Sequence, residues 1–263
     1  MALLGDDSRP GGVTFAFTER TGGVSEGPYA SLNLCMRQGD DNAAVAENRA
    51  RALSALGLSY CADQLVMPLQ VHGTNVVTID TREAEALEAA RIAAEAGADA
   101  IVCTVGDVPV MLLQADCPLI VLVCEGGFAV VHSGWRSTMG GIAARAIEEL
   151  CRVAQVRPED VSAYVSPHIQ RADYEVSQEL ADRFVARFGA AVVGPGRTLD
   201  LSCAIRMSLT EAGIPAGQMA FAEDSTASCP ERFFSYRASG GTCGRQAAVA
   251  CLAHGKGGAS TDG

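Results

Sequence analysis

Two imidazoles and one thiol in this chain share an unusual setting: His72, Cys117 and His132. Each falls where an apolar run meets a polar or glycine-containing loop, in Gln70-Val71-His72-Gly73, Ala115-Asp116-Cys117-Pro118 and Val131-His132-Ser133-Gly134-Trp135-Arg136. Only four histidines occur in 263 residues, so two in such contexts is a concentration. This donor set suits zinc. A structural zinc is usually closed by four protein ligands, whereas a catalytic one keeps three and leaves a position for water or substrate. The same residues admit another chemistry, with Cys117 as nucleophile and His132 as its base. Each also has a plainer reading, since a lone histidine is more often a satisfied structural residue and a lone cysteine a packing one.

Two further stretches carry chemistry. After His132, the run Ser133-Gly134-Trp135-Arg136-Ser137-Thr138 leads into an amphipathic helix. Ser137 or Thr138 is expected to cap that helix, whose free N–H groups favour an anion, with Arg136 as a bidentate partner for phosphate or carboxylate. Trp135 is either core or a platform for a planar ligand. Earlier, Phe17-Thr18-Glu19-Arg20-Thr21-Gly22-Gly23-Val24-Ser25 precedes Ser31-Leu32-Asn33-Leu34, and its glycines point to a turn or to close approach of a ligand.

The elements that must position these residues form an irregular mixture. Strands are expected at 13–17, 65–71, 75–79, 99–103, 108–114, 118–124, 128–132, 161–165 and 218–221. Helices are expected at 41–56, 82–96, 140–154, 175–188, 200–212 and 243–253. Short turns between several strands argue against a purely parallel doubly wound sheet and for an α/β fold of mixed sheets with flanking helices. The runs on either side of Glu125-Gly126-Gly127 read as a hairpin with residue 119 opposite roughly 133, which puts Cys117 and His132 at one open end. His72 is expected at the bend of a second hairpin, 65–71 with 75–79. Residues 13–252 read as a single domain, with flexible termini at 1–12 and 253–263.

Composition narrows the function. Hydrophobic residues make up 48% and charged ones 19%, an ordinary globular balance. A net charge of -11 with no basic stretch argues against a nucleic-acid surface. The longest apolar run, 118–124, is too short to span a bilayer, and the acidic start of the chain lacks a signal-peptide pattern. Ten cysteines without a Cys-x-x-Cys pair read as free thiols, so a reducing cytoplasm is expected; the chain is also expected to be a monomer.

Taken in order, these segments resemble the YfiH-like family. The resemblance rests on Phe17-Thr18-x-Arg20-x-Gly22-Gly23-Val24-Ser25, Ser31-Leu32-Asn33-Leu34, Gln70-Val71-His72-Gly73, Ala98-Asp99-Ala100, Ala115-Asp116-Cys117 and His132-Ser133-Gly134-Trp135-Arg136. Ser166-Pro167-x-Ile169, Tyr174-Glu175-Val176 and Phe233-Phe234-Ser235-Tyr236-Arg237 complete it, so it covers nearly the whole chain. Members are labelled polyphenol oxidase or laccase-domain proteins and are also described as purine nucleoside phosphorylases.

The resemblance implies a four-layer α/β/β/α fold similar to the catalytic domain of cytotoxic necrotizing factor, and one zinc held by His72, Cys117 and His132. It implies phosphorolysis of adenosine, inosine, guanosine and methylthioadenosine, with adenosine deamination as a side activity. Some members look like peptidoglycan editing factors acting on an amide of a cell-wall precursor. A purine-binding module without catalysis is a third reading. Departures from the family's pattern are Ser137 after Gly-Trp-Arg, Ala172-Asp173 before Tyr174, Ser225-Thr226, and Cys243 inside the final Thr-Gly-Arg; none touches the three ligands.

A multicopper oxidase needs about ten histidines, many in His-x-His pairs, and this chain has four and no such pair. Copper is therefore not expected. The expected catalytic residues are Cys117, His132, Asp116 and Arg136. Arg20, Asn33, Gln70 and Arg136 are expected to bind nucleoside and phosphate.

Overall fold

The computed structural model describes residues 3–6 and 10–252. In chain order its strands are β1 Leu3–Gly5, β2 Val13–Thr18, β3 Val76–Ile79, β4 Ala100–Cys103, β5 Val110–Gln114, β6 Leu119–Cys124 and β7 Gly127–His132. They continue with β8 Ser162–Val165, β9 Val193–Gly194, β10 Thr198–Leu199, β11 Met219–Phe221 and β12 Gln246–Leu252. The helices are α1 Asn42–Ala55, α2 Ala84–Gly97, α3 Trp135–Met139, α4 Ile142–Ala154, α5 Gln178–Phe188 and α6 Leu201–Glu211.

Two sheets dominate. One runs β1-β2-β12-β5, antiparallel throughout; the other runs β11-β8-β6-β7-β4-β3, with parallel pairs only at its two edges. Strand side chains alternate between faces, and here both faces are apolar. Phe15, Val110 and Ala248 of the first sheet meet Ile101, Val121 and Phe128 of the second in one core between the sheets. On the outer face of the second sheet, Ala100, Ile120, Ala129 and Val131 take Ile142, Ala146, Ile147 and Leu150 of α4 and Ile205 of α6. On the outer face of the first, Met111, Ala247, Val249 and Cys251 take Ala52 and Leu53 of α1. The order is helix, sheet, sheet, helix. Each fully buried Leu or Phe contributes roughly 1.5–3 kcal/mol, so the stack rests mainly on these three clusters.

Three expectations are corrected. The segment 243–253 is a strand, not a helix: alanine-rich β12 lies between β2 and β5 and hydrogen-bonds to both. Its unbroken apolar run has no period that separates a central strand from a buried helix. The segment 65–71 is not a strand of either sheet and forms no hairpin with β3; only Val66 bridges to Val110. Finally, Leu3–Gly5, inside the stretch read as a loose leader, pairs with β2. The tail at 253–263 lies outside the described residues.

The hairpin is present, one residue from its expected register. Gly127 pairs with Cys124, so the turn is Glu125-Gly126, and Leu119 faces His132. Gly126, the second residue of that turn, has φ 77, a left-handed angle that glycine takes without steric cost.

Candidate metal centre and its pocket

The site forms where the chain leaves the first sheet for the second. β5 ends at Gln114, Ala115-Asp116-Cys117-Pro118 cross over, and β6 begins at Leu119. Cys117 is thus held at the open end of the β6–β7 hairpin, and His132 closes β7 at the same end. Asp99, at the head of β4, completes the row: the His132 amide donates to the Asp99 carbonyl at 2.7 Å.

His72 arrives by a different route. Leu69 is fixed by backbone hydrogen bonds to Ala94 and Ala98. The Gln70 side chain pairs with both backbone groups of Leu113, its amide donating to the carbonyl and its oxygen accepting from the N–H, each at 2.7 Å. The backbone then curls around the fully buried Asp99 carboxylate, which accepts from the amides of Val71 at 3.2 Å, His72 at 2.9 Å and Gly73 at 2.6 Å. Three amides converging on one carboxylate hold His72 at φ 58, a left-handed conformation uncommon outside glycine.

The three candidate donor atoms all lie within 4.8 Å of one another. Cys117 Sγ is 4.0 Å from His72 Nε2, and the two imidazoles stand edge to face with centroids 4.7 Å apart. Ligands on a tetrahedral zinc with ordinary bond lengths are about 3.5 Å apart, so the trio needs roughly an ångström of side-chain adjustment to close. Asp99 also receives His132 Nδ1 at 2.7 Å, which turns Nε2 toward the thiol. This carboxylate–histidine arrangement is the usual support of a metal-bound imidazole. The residues fit one metal ion.

Electrostatics agree with that use. Burial works against the thiolate of Cys117, yet hydrogen bonds from His132 and His72 outweigh it and bring the thiol down to about 6. Burial also opposes an imidazolium at His132, and Asp99 with Cys117 overrides it, holding the ring well above its ordinary value. Asp99 is itself held low: its burial is outweighed by His132 and by the amides of Gly73 and Val71.

α3 begins directly against the trio. A Cβ on Gly134, its N-cap, would stand 3.0 Å from Cys117 Sγ and 3.3 Å from His72 Cδ2. The next residue, Trp135, lines a cavity of about 430 Å³ with Tyr174, Ser177, Leu180 and Arg237, within the usual range for small-molecule sites. Burial, then the charge of Cys117, pushes the Tyr174 phenol up to about 12 against the opposing Arg237 and Arg136.

Among the expected site residues, Arg136 is exposed and lies 4.1 Å over the Trp135 ring. Asp116 is buried with both carboxylate oxygens engaged, by the Thr226 hydroxyl at 2.6 Å and the Arg237 amide at 2.7 Å. The second bond ties the Arg237 backbone, and with it one wall of the cavity, to the Asp116 side chain. Gln70 is committed to Leu113.

The structure gives Arg20 and Asn33 structural partners instead. Arg20 donates to the carbonyls of Ala30 and Pro230 and covers Phe234. Asn33 is fully buried, donating to the Cys35 carbonyl and Asp40 and accepting from the amides of Cys35 and Arg245. Neither Ser137 nor Thr138 caps α4, whose N-cap is Gly141. Thr138 bonds Ser133, and Ser137 Oγ is buried without a partner.

Sequence reasoning assigned no role to Asp99, Tyr174, Arg237 or Arg183. The signal for Asp99 was an acidic residue between two alanines at the head of an apolar strand. Arg183 left no signal.

A family model described as "Multi-copper polyphenol oxidoreductase laccase" matches residues 14–253. The chain belongs to this laccase-like, YfiH family. A family member named purine nucleoside phosphorylase, from Deinococcus radiodurans, is 39% identical over 246 residues, covering 90% of this chain and 88% of its own. Another, named adenosine deaminase RL5, from an unknown prokaryotic organism, is 35% identical over 88% of this chain and 90% of its own. The crystal structure of the Bacillus licheniformis hypothetical protein YfiH superimposes with a TM-score of 0.85 at 25% identity, covering 95% of this chain and 96% of that one. The family's description speaks of several coppers, whereas the described residues assemble one His-Cys-His group able to hold a metal ion. Also among the described residues, no helix is long and apolar enough to cross a membrane.

Proposed function

We propose that this protein is a zinc-dependent purine nucleoside phosphorylase that takes adenosine, inosine, guanosine and methylthioadenosine and also deaminates adenosine. One zinc per chain would be held by His72, Cys117 and His132. The observation that carries the reading is this trio, oriented by Asp99 and set beside an open pocket of about 430 Å³. The names borne by relatives with 35–39% identity support the substrate class.

When bound, zinc supplies Lewis acidity toward an oxygen or nitrogen of the reactants. Thiolate and imidazole donors, rather than a set of His-x-His pairs, favour zinc over a copper cluster. In phosphorolysis an oxygen of hydrogen phosphate bonds to C1′ of the ribose and the C1′–N9 bond breaks. The electron pair leaves with the purine, and the proton of hydrogen phosphate ends on the base. The Arg136 guanidinium, stacked on Trp135 with its N–H edge free, receives the anion. Asp99 fixes the tautomer of His132, and Asp116 keeps Arg237 at the pocket wall. In deamination water adds to C6 of adenosine and ammonia departs.

The reading is tested by metal analysis of purified protein together with release of hypoxanthine from inosine, with and without phosphate. About one zinc per chain and phosphate-dependent release are expected; substoichiometric zinc, or full activity in Cys117→Ala, would overturn it. The row Cys117, His132, Asp99 also suits a thiol nucleophile with an oriented base, which gives a cell-wall amidase as the second reading. That enzyme would cleave muropeptide precursors and keep its activity under chelation.

A further inference from the structure

The cavity beside the metal ligands is lined by Arg237, and two further arginines stand against Trp135, which lines it too. Arg136 lies 4.1 Å over the Trp135 ring, and Arg183, from α5, stands 5.6 Å from the same ring. Arg237 covers Tyr174 at 5.1 Å and spends one N–H on the Glu175 carbonyl. Among the described residues none of the three makes an ion pair; what sets them apart from other unpaired arginines is that they sit on the two aromatic rings of this cavity. The one carboxylate on the cavity wall, Glu175, is drawn to Arg197 at 2.6 Å.

A guanidinium laid on an aromatic face keeps its in-plane N–H donors free, so stacking orients these cations without using up their hydrogen bonds. The rings therefore act as supports for arginine and are not open platforms for a base. All three are exposed to solvent and carry no counter-ion, so an anion entering the pocket meets positive charge that no carboxylate of the chain has already neutralised. α5 adds to the field: its N-cap, Ser177, lines the same cavity, and the positive end of an eleven-residue helix faces that space.

We infer that Arg136, Arg183 and Arg237, held on Trp135 and Tyr174, form the subsite for the phosphate dianion. Arg183 and Arg237 are thus binding residues, and the anion stands between α3 and α5, next to Cys117. The inference rests on the phosphorylase reading for the use made of the anion, not for its binding.

Trp135 is the only tryptophan, so its fluorescence reports this cavity alone. Titration of the zinc-loaded protein with orthophosphate is expected to give a saturable change. Arg183→Gln is expected to raise the half-saturation about tenfold or more, the loss of one charge-assisted contact. Arg187→Gln, one turn on and paired with Glu211, serves as the control and stays at the wild-type value. In steady state the KM for phosphate rises in Arg183→Gln and Arg237→Gln while the KM for inosine holds. Phosphorolysis at wild-type phosphate KM in both variants would overturn the subsite and leave the phosphorylase reading standing. Saturable phosphate binding without phosphorolysis would do the reverse. Saturation by inosine monophosphate but not by orthophosphate would also overturn it, in favour of a phosphorylated nucleoside.

Discussion

Asp99 accepts a hydrogen bond from His132 at 2.7 Å while its carboxylate also anchors the backbone amide of His72 at 2.9 Å. One buried acid therefore sets the ring of one ligand and the main chain of another. Asp99→Asn keeps the shape but brings an N–H against the amides of Val71 to Gly73. The expected outcome is zinc affinity lower by about 10–100-fold, read by competition with a chelator. Unchanged affinity would mean that the two histidines hold their places without it.

Gly134 admits no side chain without pressing on the ligands. Its backbone at φ -60 suits any residue, so Gly134→Ala strains the contacts and not the chain. We expect a folded protein with reduced zinc occupancy, measured by metal analysis beside circular dichroism. Full occupancy would show that α3 can shift by a few tenths of an ångström.

Asn33 tests structure against binding. Four hydrogen bonds to a fully buried amide predict that Asn33→Ala costs about 2–4 kcal/mol in urea unfolding. The KM for inosine of the folded fraction should be unchanged. A large KM effect at constant stability would restore a substrate-binding role.

His168 gives a pH dependence away from the metal ligands. Burial holds its pKa below the ordinary 6.5, and the ring is spent on the Ser166 carbonyl at 2.7 Å and the Ser202 hydroxyl at 2.8 Å. With the folded pKa depressed, the unfolded chain binds the proton first as pH falls. Stability is fully present above about pH 6.5 and declines below it, by at most about 1.4 kcal/mol per pH unit, until the folded pKa is reached. Unfolding free energies at pH 7 and pH 5.5 should therefore differ less in His168→Gln than in the wild type. An equal pH slope in both would remove His168 as the source.

Much of the architecture was legible in the amino-acid order. Strands with both faces apolar, capped helices and the tight turn at Glu125-Gly126 are local properties, and all but two of the expected elements appear near their places. The exceptions have one cause. Neither 65–71 nor 243–253 carries a period of its own; the first is shaped by contacts to Ala94, Ala98 and Leu113, the second by the two strands beside it.

The sequence by itself determined which side chains can do chemistry, and that Cys117 and His132 meet, because a hairpin return is a short-range event. Only the tertiary structure decided how His72 joins them, through a carboxylate 27 residues away that draws in three amides. It also decided which arginines are free. Arg20 and Arg136 look alike in the chain, but Arg20 meets the carbonyls of Ala30 and Pro230, which take its donors, while Arg136 meets a ring that leaves them open. Such commitments depend on long-range neighbours, which no local pattern of residues encodes.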